Sequence, residues 1–273
     1  MTDTNVVTFT TTYGSITTRR DRDAKIVAHL TQHPSFFESD FAVMRAFVTK
    51  DDEVFDIGAN IGCVTLSLAR YARRVHAFEP IPATADLLEY NIAQNHLSNV
   101  VVNRMGLSDS PGQLHACFSE DAGQISLETS GEGESVPVST LDAYAASIRV
   151  GFIKLDVEGM EAQVLAGGQA CITTSRPIIF FEAHTGNKQQ HTSFKKFYQL
   201  LPAYSFFFNL YETQDGRYQL GKLPGLGILR FASGTLNVLA VPNEKIHFSY
   251  VGTAQTLLFL SVRKIKNKLR LLF

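Results

Sequence analysis

Apolar residues in this chain fall into short blocks with two alternating spacings. Blocks rich in β-branched and aromatic residues predict strands, because such side chains suit a pleated, buried surface. The segments between them carry apolar residues three and four apart, which predicts amphipathic helices. Strands that alternate with helices predict a doubly wound α/β fold with a mainly parallel sheet. The predicted strands are Val54–Asp56, Arg74–Phe78, Asn99–Asn103, Phe152–Val157 and Pro177–Phe181, and the predicted helices are Ile61–Arg70, Ala83–Asn95, Thr140–Ile148 and Met160–Ala166.

Two regions depart from this alternation before residue 140. Residues 1–50 are predicted to be an N-terminal helical region, which forms a lid, covers the sheet or simply packs at its edge. Within it, Met1–Thr18 form either a hairpin or a loose terminus. Ser108–Ser135 are rich in Ser, Gly and Glu, and predict a loop excursion that carries a hairpin, with strands near Gln113–Phe118 and Gln124–Glu128.

The end of the chain has a different pattern. Tyr204–Tyr211 and Thr235–Val241 predict two more strands, and Asp215-Gly216 is a turn signal, so an antiparallel hairpin should finish the sheet. Residues 244–273 form a basic tail, in which apolar residues at 258, 262, 265, 269 and 272 predict an amphipathic helix over 254–273. That helix would contact an anionic membrane surface, or pack on its own domain or on a second copy in a homodimer.

The stretch around which the other segments are arranged is VFDIGANIG, Val54–Gly62. A strand that ends in Asp56 leads into a glycine turn and then into a helix, which is an arrangement that holds nucleotide-like cofactors. Gly58 and Gly62 would let the backbone approach a ligand, since no Cβ intervenes. The two glycines are four residues apart, unlike those of GxGxxG dinucleotide sites, which favours a cofactor without phosphates.

Acidic residues follow three of the predicted strands. Glu79 follows the second strand, where a carboxylate can accept hydrogen bonds from both ribose hydroxyls of a nucleoside. Asp156 and Glu158 leave the fourth strand, and Glu182 and His184 follow the fifth. Because the carboxyl ends of parallel strands face one crevice, we expect all five side chains to surround one site.

Composition narrows the class of protein. The 273 residues carry a net charge of −1, which gives no general attraction to nucleic acid. No run reaches the roughly 18 apolar residues of a membrane span, and the polar start lacks a signal-peptide core. Cys63, Cys117 and Cys171 are odd in number and widely spaced, as expected of reduced thiols. These features predict a cytoplasmic protein.

The order of the motifs resembles that of the FkbM family of S-adenosylmethionine-dependent methyltransferases. The resemblance spans roughly residues 50–242 and lies in DIGANIG (56–62), FEP (78–80), IKLDVEGME (153–161), FEAH (181–184) and NVLAVP (237–242). It implies a Rossmann-like class I methyltransferase domain over 51–243, with a mostly parallel seven-stranded sheet and a C-terminal antiparallel hairpin. It also implies O-methylation of a hydroxyl on a sugar, a glycan or a glycosylated metabolite, with acceptor specificity outside the resembling segments.

The resemblance also implies roles for individual residues. S-adenosylmethionine would be the cofactor, with its methionine moiety near the glycine loop and its ribose at the end of the second strand. The cofactor-binding residues implied are Asp56, Gly58, Asn60 and Gly62 around the methionine moiety, Glu79 and the adjacent Pro80 at the ribose, Leu107 on the adenine side, and Asp156 near the methionine end or the methyl group.

Transfer of a methyl group to a hydroxyl is an in-line displacement, and a base that removes the hydroxyl proton assists it. His184 is the first candidate for that base because its ordinary pKa lies near neutrality, and Glu158 and Glu182 come next. Two alternatives remain open: His184 could only order its loop, or Asp156, Glu182 and His184 could share a divalent metal. We do not expect a metal site.

Two other functions remain to be weighed. A dinucleotide-dependent oxidoreductase could use a similar sheet, but the third glycine of its motif is missing. A non-catalytic docking protein could retain the fold, but the intact DIGANIG and IKLDVEG motifs disfavour such decay.

Overall fold

The computed structural model describes residues 5–32, 38–119, 124–128, 133–185, 195–212, 218–222, 234–250, 258–261 and 269–272. The elements alternate largely as the sequence predicts. In chain order they are β1 (Val6–Thr11), β2 (Gly14–Arg19), α1 (Ala24–Gln32), α2 (Glu38–Phe47), β3 (Glu53–Ile57), α3 (Cys63–Ala69), β4 (Arg74–Phe78), α4 (Pro82–Gln94), β5 (Val100–Asn103), β6 (Gly106–Ser108), β7 (Gly112–Ser119), β8 (Gln124–Glu128), β9 (Glu134–Thr140), α5 (Leu141–Tyr144), β10 (Val150–Leu155), α6 (Glu161–Ala166), α7 (Gln169–Ser175), β11 (Ile178–Thr185), a helical segment over 195–200, β12 (Tyr204–Glu212), β13 (Tyr218–Lys222), β14 (Gly234–Pro242), β15 (His247–Tyr250), β16 (Leu258–Ser261) and β17 (Leu269–Leu272).

One large sheet organises these elements, in the order β15-β16-β17-β13-β12-β14-β11-β10-β3-β4-β5. Strands β5, β4, β3, β10 and β11 are parallel to one another, and β14 is antiparallel to both β11 and β12. The α/β fold with parallel central strands is therefore confirmed. The sheet has eleven strands rather than the seven expected, because β13 pairs with the otherwise open edge of β12 and β17, β16 and β15 continue the sheet beyond it.

The chain reverses its direction of travel through the sheet between β3 and β10. From β3 it moves outward through β4 to β5, and it then returns to form β10 on the other side of β3. Such a reversal leaves a crevice at the carboxyl ends of the two strands, where ligands bind in open α/β sheets.

Alternation along the central strands produces two apolar layers. Val54 and Phe152 point to one face, where they pack with α2, α3 and the N-terminal hairpin, whereas Phe55 and Ile153 point to the other, where α5, α6 and α7 lie. Both layers consist mainly of buried side chains. The central strands are thus covered on both faces, as their nearly continuous apolar sequences require.

The N-terminal region is part of this core. Strands β1 and β2 form an antiparallel hairpin, which resolves the two alternatives for Met1–Thr18 over the described residues. Phe41 and Met44 of α2 are buried against the sheet, and Asn237 of β14 donates a 3.1 Å hydrogen bond to Asp40. The hairpin and α2 therefore pack on one face of the sheet, and a lid function for this region stays a prediction.

The excursion after β6 forms a second, four-stranded sheet with the order β6-β9-β7-β8. Strands β7 and β8 are antiparallel and include the two predicted segments, so the predicted hairpin is confirmed.

The prediction of a C-terminal helix is wrong where the structure describes the tail. Residues 258–261 and 269–272 are strands β16 and β17, which pair with each other, and β17 also pairs with β13. Helical spacing alone cannot distinguish a helix from short apolar runs such as Leu257–Leu260, and the edge of β13 supplies backbone partners for a strand. Residues 262–268 and the predicted turn at Asp215-Gly216 lie outside the described residues. Across the described ranges, no helix is both long and apolar enough to cross a bilayer.

Candidate functional site

A cavity of about 520 Å³ opens at the crevice between β3 and β10. This volume is within the roughly 300–1,000 Å³ typical of small-molecule sites. The carboxyl ends of β3, β4 and β10 form one side, and the segment before α1 together with β8 contributes to the rest. The lining residues are Asp21, Arg22, Asp23, Ile26, Gly58, Ala59, Asn60, Ile61, Cys63, Val64, Glu79, Pro80, Ile81, Thr84, Leu127, Lys154, Asp156, Val157 and Glu158.

The backbone N–H groups of the glycine loop after β3 donate hydrogen bonds to other groups of the protein. The amides of residues 58 and 59 both donate to the carbonyl of Phe78, and those of residues 60, 61 and 62 donate to the carboxylate of Glu79, the side chain of Asn60 and the carbonyl of Ala59. A diphosphate site needs successive N–H groups that point at the ligand. In this loop the N–H groups of residues 58–62 all donate to acceptors within the protein instead.

The two glycines of the loop serve internal packing. Gly58 has a φ of +79°, and a Cβ there would lie 1.8 Å from the carbonyl oxygen of Asp156. At Gly62, with a φ of +101°, a Cβ would lie 2.7 Å from the side chain of Leu88. The missing side chains therefore let the loop pass close to β10 and α4. Gly58 also lines the cavity, as expected of a residue that admits a ligand, whereas Gly62 does not.

Glu79 holds the end of β4 against the loop. One of its oxygens accepts from the backbone N–H of Asn60 at 3.0 Å, and the other accepts from that of Ile81 at 2.9 Å. Each carboxylate oxygen can accept a further hydrogen bond. Burial raises the pKa of Glu79 to about 7, although both backbone donors oppose that rise.

Asp56 lies beneath the cavity and does not line it. The residue is fully buried, and its Oδ2 accepts a 2.5 Å hydrogen bond from the hydroxyl of Thr65. Its Oδ1 makes no hydrogen bond with the described residues and lies 3.5 Å from Nζ of Lys154. Direct contact between Asp56 and the methionine moiety, expected from the sequence, therefore does not fit this position.

Asp156 lines the cavity with its side chain 42% exposed. Nζ of Lys154 lies 3.6 Å from its Oδ2 and donates a 2.8 Å hydrogen bond to the carbonyl of Gly58. Asp156 is thus linked through one lysine to the glycine loop and to Asp56.

The turn after Asp156 contains a strained residue. Glu158 lines the cavity with a φ of +51°, in the left-handed region that few side chains adopt. Glu161, in the first turn of α6, accepts from the backbone N–H groups of Val157 and Gly159, both at 3.2 Å. Burial raises the pKa of Glu161. These two hydrogen bonds hold the turn in the conformation that places Glu158 at the cavity wall.

The remaining predicted residues separate into two groups. Asn60 and Pro80 line the cavity, whereas Gly62 and Leu107 do not, and Leu107 packs in the core beside α6. Glu182 and His184 lie within β11 rather than after it, because β14 extends the ladder and pairs with both residues. Glu182 does not line the cavity, and the side chain of His184 lies outside what the structure describes.

No group of three or more His, Cys, Asp and Glu side chains is arranged to hold a metal ion among the residues that the structure describes.

Sequence analysis missed several parts of the wall. Lys154 was overlooked, although a single charged residue within the apolar strand VGFIKL is unusual in a buried strand and could have drawn attention to it. Asp21, Arg22, Asp23 and Leu127 carry no local signal of a site, since only the packing of the hairpin and the excursion brings them to the cavity.

Several solved structures are similar to this chain in fold. The methyltransferase FkbM from Methylobacillus flagellatus KT is 16% identical with a TM-score of 0.47, over 79% of this chain and 53% of that one. This chain therefore spans about half the length of that protein. A precorrin-6y C5,15-methyltransferase from Geobacter metallireducens GS-15 is 10% identical with a TM-score of 0.44, over 73% of this chain and 86% of the other. A protein from Streptococcus mutans in complex with SAH is 12% identical with a TM-score of 0.42, over 75% and 94%.

A comparison with the curated proteins gives no match. The family model described as the methyltransferase FkbM domain matches residues 56–208, which is more than half of the chain and includes the glycine loop, Glu79 and Asp156. The chain therefore belongs to the FkbM methyltransferase family.

Proposed function

We propose that the chain is an S-adenosylmethionine-dependent O-methyltransferase whose acceptor is a hydroxyl of a sugar, a glycan or a glycosylated metabolite. The observation that carries the proposal is the acidic cavity at the reversal point of the sheet. Its wall combines Glu79, Asp156 and a glycine loop that has no N–H groups to spare for phosphate. The family match supports the methyl transfer, and the hydroxyl acceptor is our extension of it.

The charge of the cavity suits this cofactor. Five carboxylates line it against two cations, Arg22 and Lys154, and Lys154 is already paired with acidic side chains. S-adenosylmethionine carries a sulfonium and an ammonium against a single carboxylate, so it is a net cation and an excess of negative charge favours its binding. When bound, the cofactor supplies a methyl group that its sulfonium makes electrophilic. The five lining carboxylates are those of Asp21, Asp23, Glu79, Asp156 and Glu158.

Different residues would bind different parts of the cofactor. Glu79 would accept the ribose hydroxyls with the acceptor capacity that Asn60 and Ile81 leave on its two oxygens. Asp156 would accept from the ammonium of the amino-acid end. The segment before α1 and Leu127 of β8 would exclude water and contact the acceptor, because both reach the cavity from outside the central sheet.

The acceptor hydroxyl needs a base. Glu158 lines the cavity, which makes its carboxylate a candidate to take the proton from a hydroxyl held there. His184 and Glu182, on β11, remain the other candidates. Glu158 follows β10, and Glu182 and His184 belong to β11, the neighbour of β10 in the sheet, whereas Glu79 follows β4 on the other side of β3.

The alternative of a dinucleotide-dependent oxidoreductase is disfavoured by the loop itself. Binding of a diphosphate would require the amides of residues 58–62 to leave their present acceptors, including Phe78 and Glu79. Leaving buried polar groups unpaired costs about 1–3 kcal/mol each, so the loop is a poor diphosphate site.

Isothermal titration with S-adenosylmethionine, S-adenosylhomocysteine and NAD tests the proposal. We expect micromolar-range binding of the first two ligands and none of NAD. Tight binding of NAD with flat titrations of the other two would overturn it. Incubation with a panel of sugars, glycans and glycosylated metabolites should then yield a product heavier by one methylene, together with S-adenosylhomocysteine. A methylated amine in place of an ether would refute the choice of oxygen as the acceptor atom.

A further inference from the structure

A lysine within the buried sheet connects the glycine loop with the cavity. Lys154 of β10 lies opposite Asp56 of β3 in the strand register, and its side chain is only 8% exposed. Its ammonium donates to the carbonyl of Gly58 at 2.8 Å and lies 3.5 Å from Oδ1 of Asp56 and 3.6 Å from Oδ2 of Asp156. One cation thus joins β3, the loop that follows it and the first residue after β10.

The surroundings keep this lysine charged. Burial favours the neutral amine, but the carboxylates of Asp156 and Asp56 outweigh it and raise the pKa of Lys154. Without the ammonium, Asp56 would be left as a buried acid with one oxygen unpaired, close to a second carboxylate of the same sign. Lys154 is therefore a cation that Asp56 and Asp156 share.

We propose that Lys154 is a positioning residue, whose ammonium fixes the Asp156 carboxylate and the Gly58 carbonyl at the end of the cavity that receives the amino-acid moiety of the cofactor. This inference rests on the proposed function and adds to it the residue that selects for that moiety. Glu79, at the end of β4, and Asp156, after β10, stand on opposite sides of β3. The ribose and the amino-acid end would therefore meet different parts of the wall.

The contacts of Lys154 lie at the part of the wall that would receive the amino-acid end. Its hydrogen bond and both of its ion pairs reach residues of β3, its loop and Asp156, and among the described residues it makes neither kind of contact with Glu79. The charge of Lys154 does lower the pKa of Glu79 through space, so the comparison is made at a pH well above that pKa of about 7, where Glu79 is ionised. Under that condition a change at Lys154 should weaken ligands that carry the amino-acid moiety and spare those that lack it.

Two ligands, one with the amino-acid moiety and one without it, test whether Lys154 acts on the binding of that moiety. S-adenosylhomocysteine carries both the adenosine and the amino acid, whereas 5′-methylthioadenosine lacks the amino acid. Because Lys154→Met alone leaves Asp56 unpaired and could prevent folding, the change is made in an Asp56→Asn background and compared with Asp56→Asn alone. We expect adding Lys154→Met to weaken S-adenosylhomocysteine about tenfold or more, the scale of a lost charge-assisted hydrogen bond, and to leave 5′-methylthioadenosine within about twofold.

Lys245→Met is the matched control. Lys245 also donates from its ammonium to a backbone carbonyl, that of Arg176, but it lies beside a different cavity at the opposite end of the strands. Its replacement should leave both affinities unchanged. Equal weakening of the two ligands by Lys154→Met, or weakening of neither, would overturn the positioning role. Failure of the unmodified protein to bind either ligand would instead refute the proposed function, and the inference with it.

Discussion

The carboxylate of Glu79 accepts a 3.0 Å hydrogen bond from the backbone N–H of Asn60, so the acid at the end of β4 also fixes the turn that follows β3. The same carboxylate accepts from Ile81 on its other oxygen. A ligand held by Glu79 would therefore be held by a group that the protein has already oriented. Such preorganisation lowers the entropy lost on binding.

Replacing Glu79 by Gln should weaken the binding of S-adenosylhomocysteine. The amide keeps the shape of the side chain but has one acceptor oxygen instead of two. The loss of a hydrogen bond to a charged group predicts a decrease of about 1.5–3 kcal/mol, or roughly 10–150-fold in affinity. Isothermal titration measures it, with Glu89→Gln on the exposed side of α4 as the control. An unchanged affinity would remove Glu79 from the ribose site.

The raised pKa of Glu79 predicts how binding depends on pH. The ordinary pKa of 4.5 rises to about 7 in the folded protein, so between these values the folded chain holds a proton that the unfolded chain has released. This group therefore lowers stability as the pH rises through that window. Ribose binding requires the carboxylate, so affinity for S-adenosylhomocysteine should rise with pH, up to about tenfold per pH unit below 7, and level off above it.

Titrations at a series of pH values from about 5.5 to 8.5 would show this rise, because this range includes the raised pKa of Glu79. Glu79→Gln is the matched control, because it cannot release a proton at this position. The affinity of that variant should be nearly independent of pH over the same range. If both proteins show the same slope, another group controls binding.

The positions of the central strands along the chain, and a crevice at their carboxyl ends, could be predicted because they follow from local signals. The apolar strand ending at Asp56, the glycine turn and the acid at Glu79 each have a direct physical meaning in the sequence. Asp56 itself shows where that reasoning stops. Its position at the carboxyl end of a strand is compatible with ligand contact, and only the register that sets it opposite Lys154 shows that its charge is used inside the protein.

The walls that come from distant segments could not be predicted. Leu127 reaches the cavity because β8 pairs with β7, and Asp21 reaches it because the hairpin packs on α4, so neither depends on the residues beside it in sequence. The helix predicted for the tail was wrong for another reason. Its spacing fits a helix and a pair of short strands equally well, and the pairing edge of β13 is separated from β17 by about 50 residues of chain, beyond the reach of local patterns.

Asn91 links the N-terminal hairpin to the glycine loop, and its replacement tests what that link contributes to stability. Its side chain is fully buried, donates to the carbonyls of Thr17 and Ile61 at 3.0 and 2.8 Å, and accepts from the N–H of Thr17 at 2.8 Å. Asn91→Ala would leave three backbone groups without these partners. At about 1–3 kcal/mol for each unpaired buried group, partly relieved by water, the free energy of unfolding should fall by about 2–5 kcal/mol.

Denaturant unfolding measures this change, and Tyr90→Ala is the control because that neighbouring side chain is 56% exposed. Asn91→Ala should also weaken the binding of S-adenosylhomocysteine, since Ile61 lines the cavity. A loss no larger than that of Tyr90→Ala would show that the hairpin is held by its apolar contacts alone.

The identity of the base can be tested once an acceptor is known. If His184 is the base, His184→Ala should lower turnover by about 10²–10⁴-fold and leave the affinity for S-adenosylhomocysteine nearly unchanged. Glu158→Gln and Glu182→Gln, measured in parallel, test the other two candidates. A loss below about threefold for His184→Ala would transfer the role to whichever glutamate variant falls in that range. Full activity in excess EDTA would reject the alternative in which Asp156, Glu182 and His184 share a metal.

Alanine substitutions at two glycines near the cavity would distinguish the cost of a steric clash from the cost of backbone strain. Gly58 and Gly159 both have a positive φ, +79° and +101°, so alanine at either site costs about 1–2 kcal/mol for a left-handed conformation. The difference lies in the space around them. A Cβ at Gly159 meets nothing within 4 Å, whereas one at Gly58 would lie 1.8 Å from the carbonyl oxygen of Asp156.

Gly159→Ala should therefore lower the free energy of unfolding by about 1–2 kcal/mol, which is the strain alone. Gly58→Ala should cost at least about 1–3 kcal/mol more, because the loop or β10 must move to relieve the clash. That movement would also separate the Gly58 carbonyl from Lys154, so S-adenosylhomocysteine binding should be lost in Gly58→Ala and retained in Gly159→Ala. Equal stabilities for the two variants would mean that the loop has room to shift, and that its close passage over Asp156 does not hold the cavity in shape.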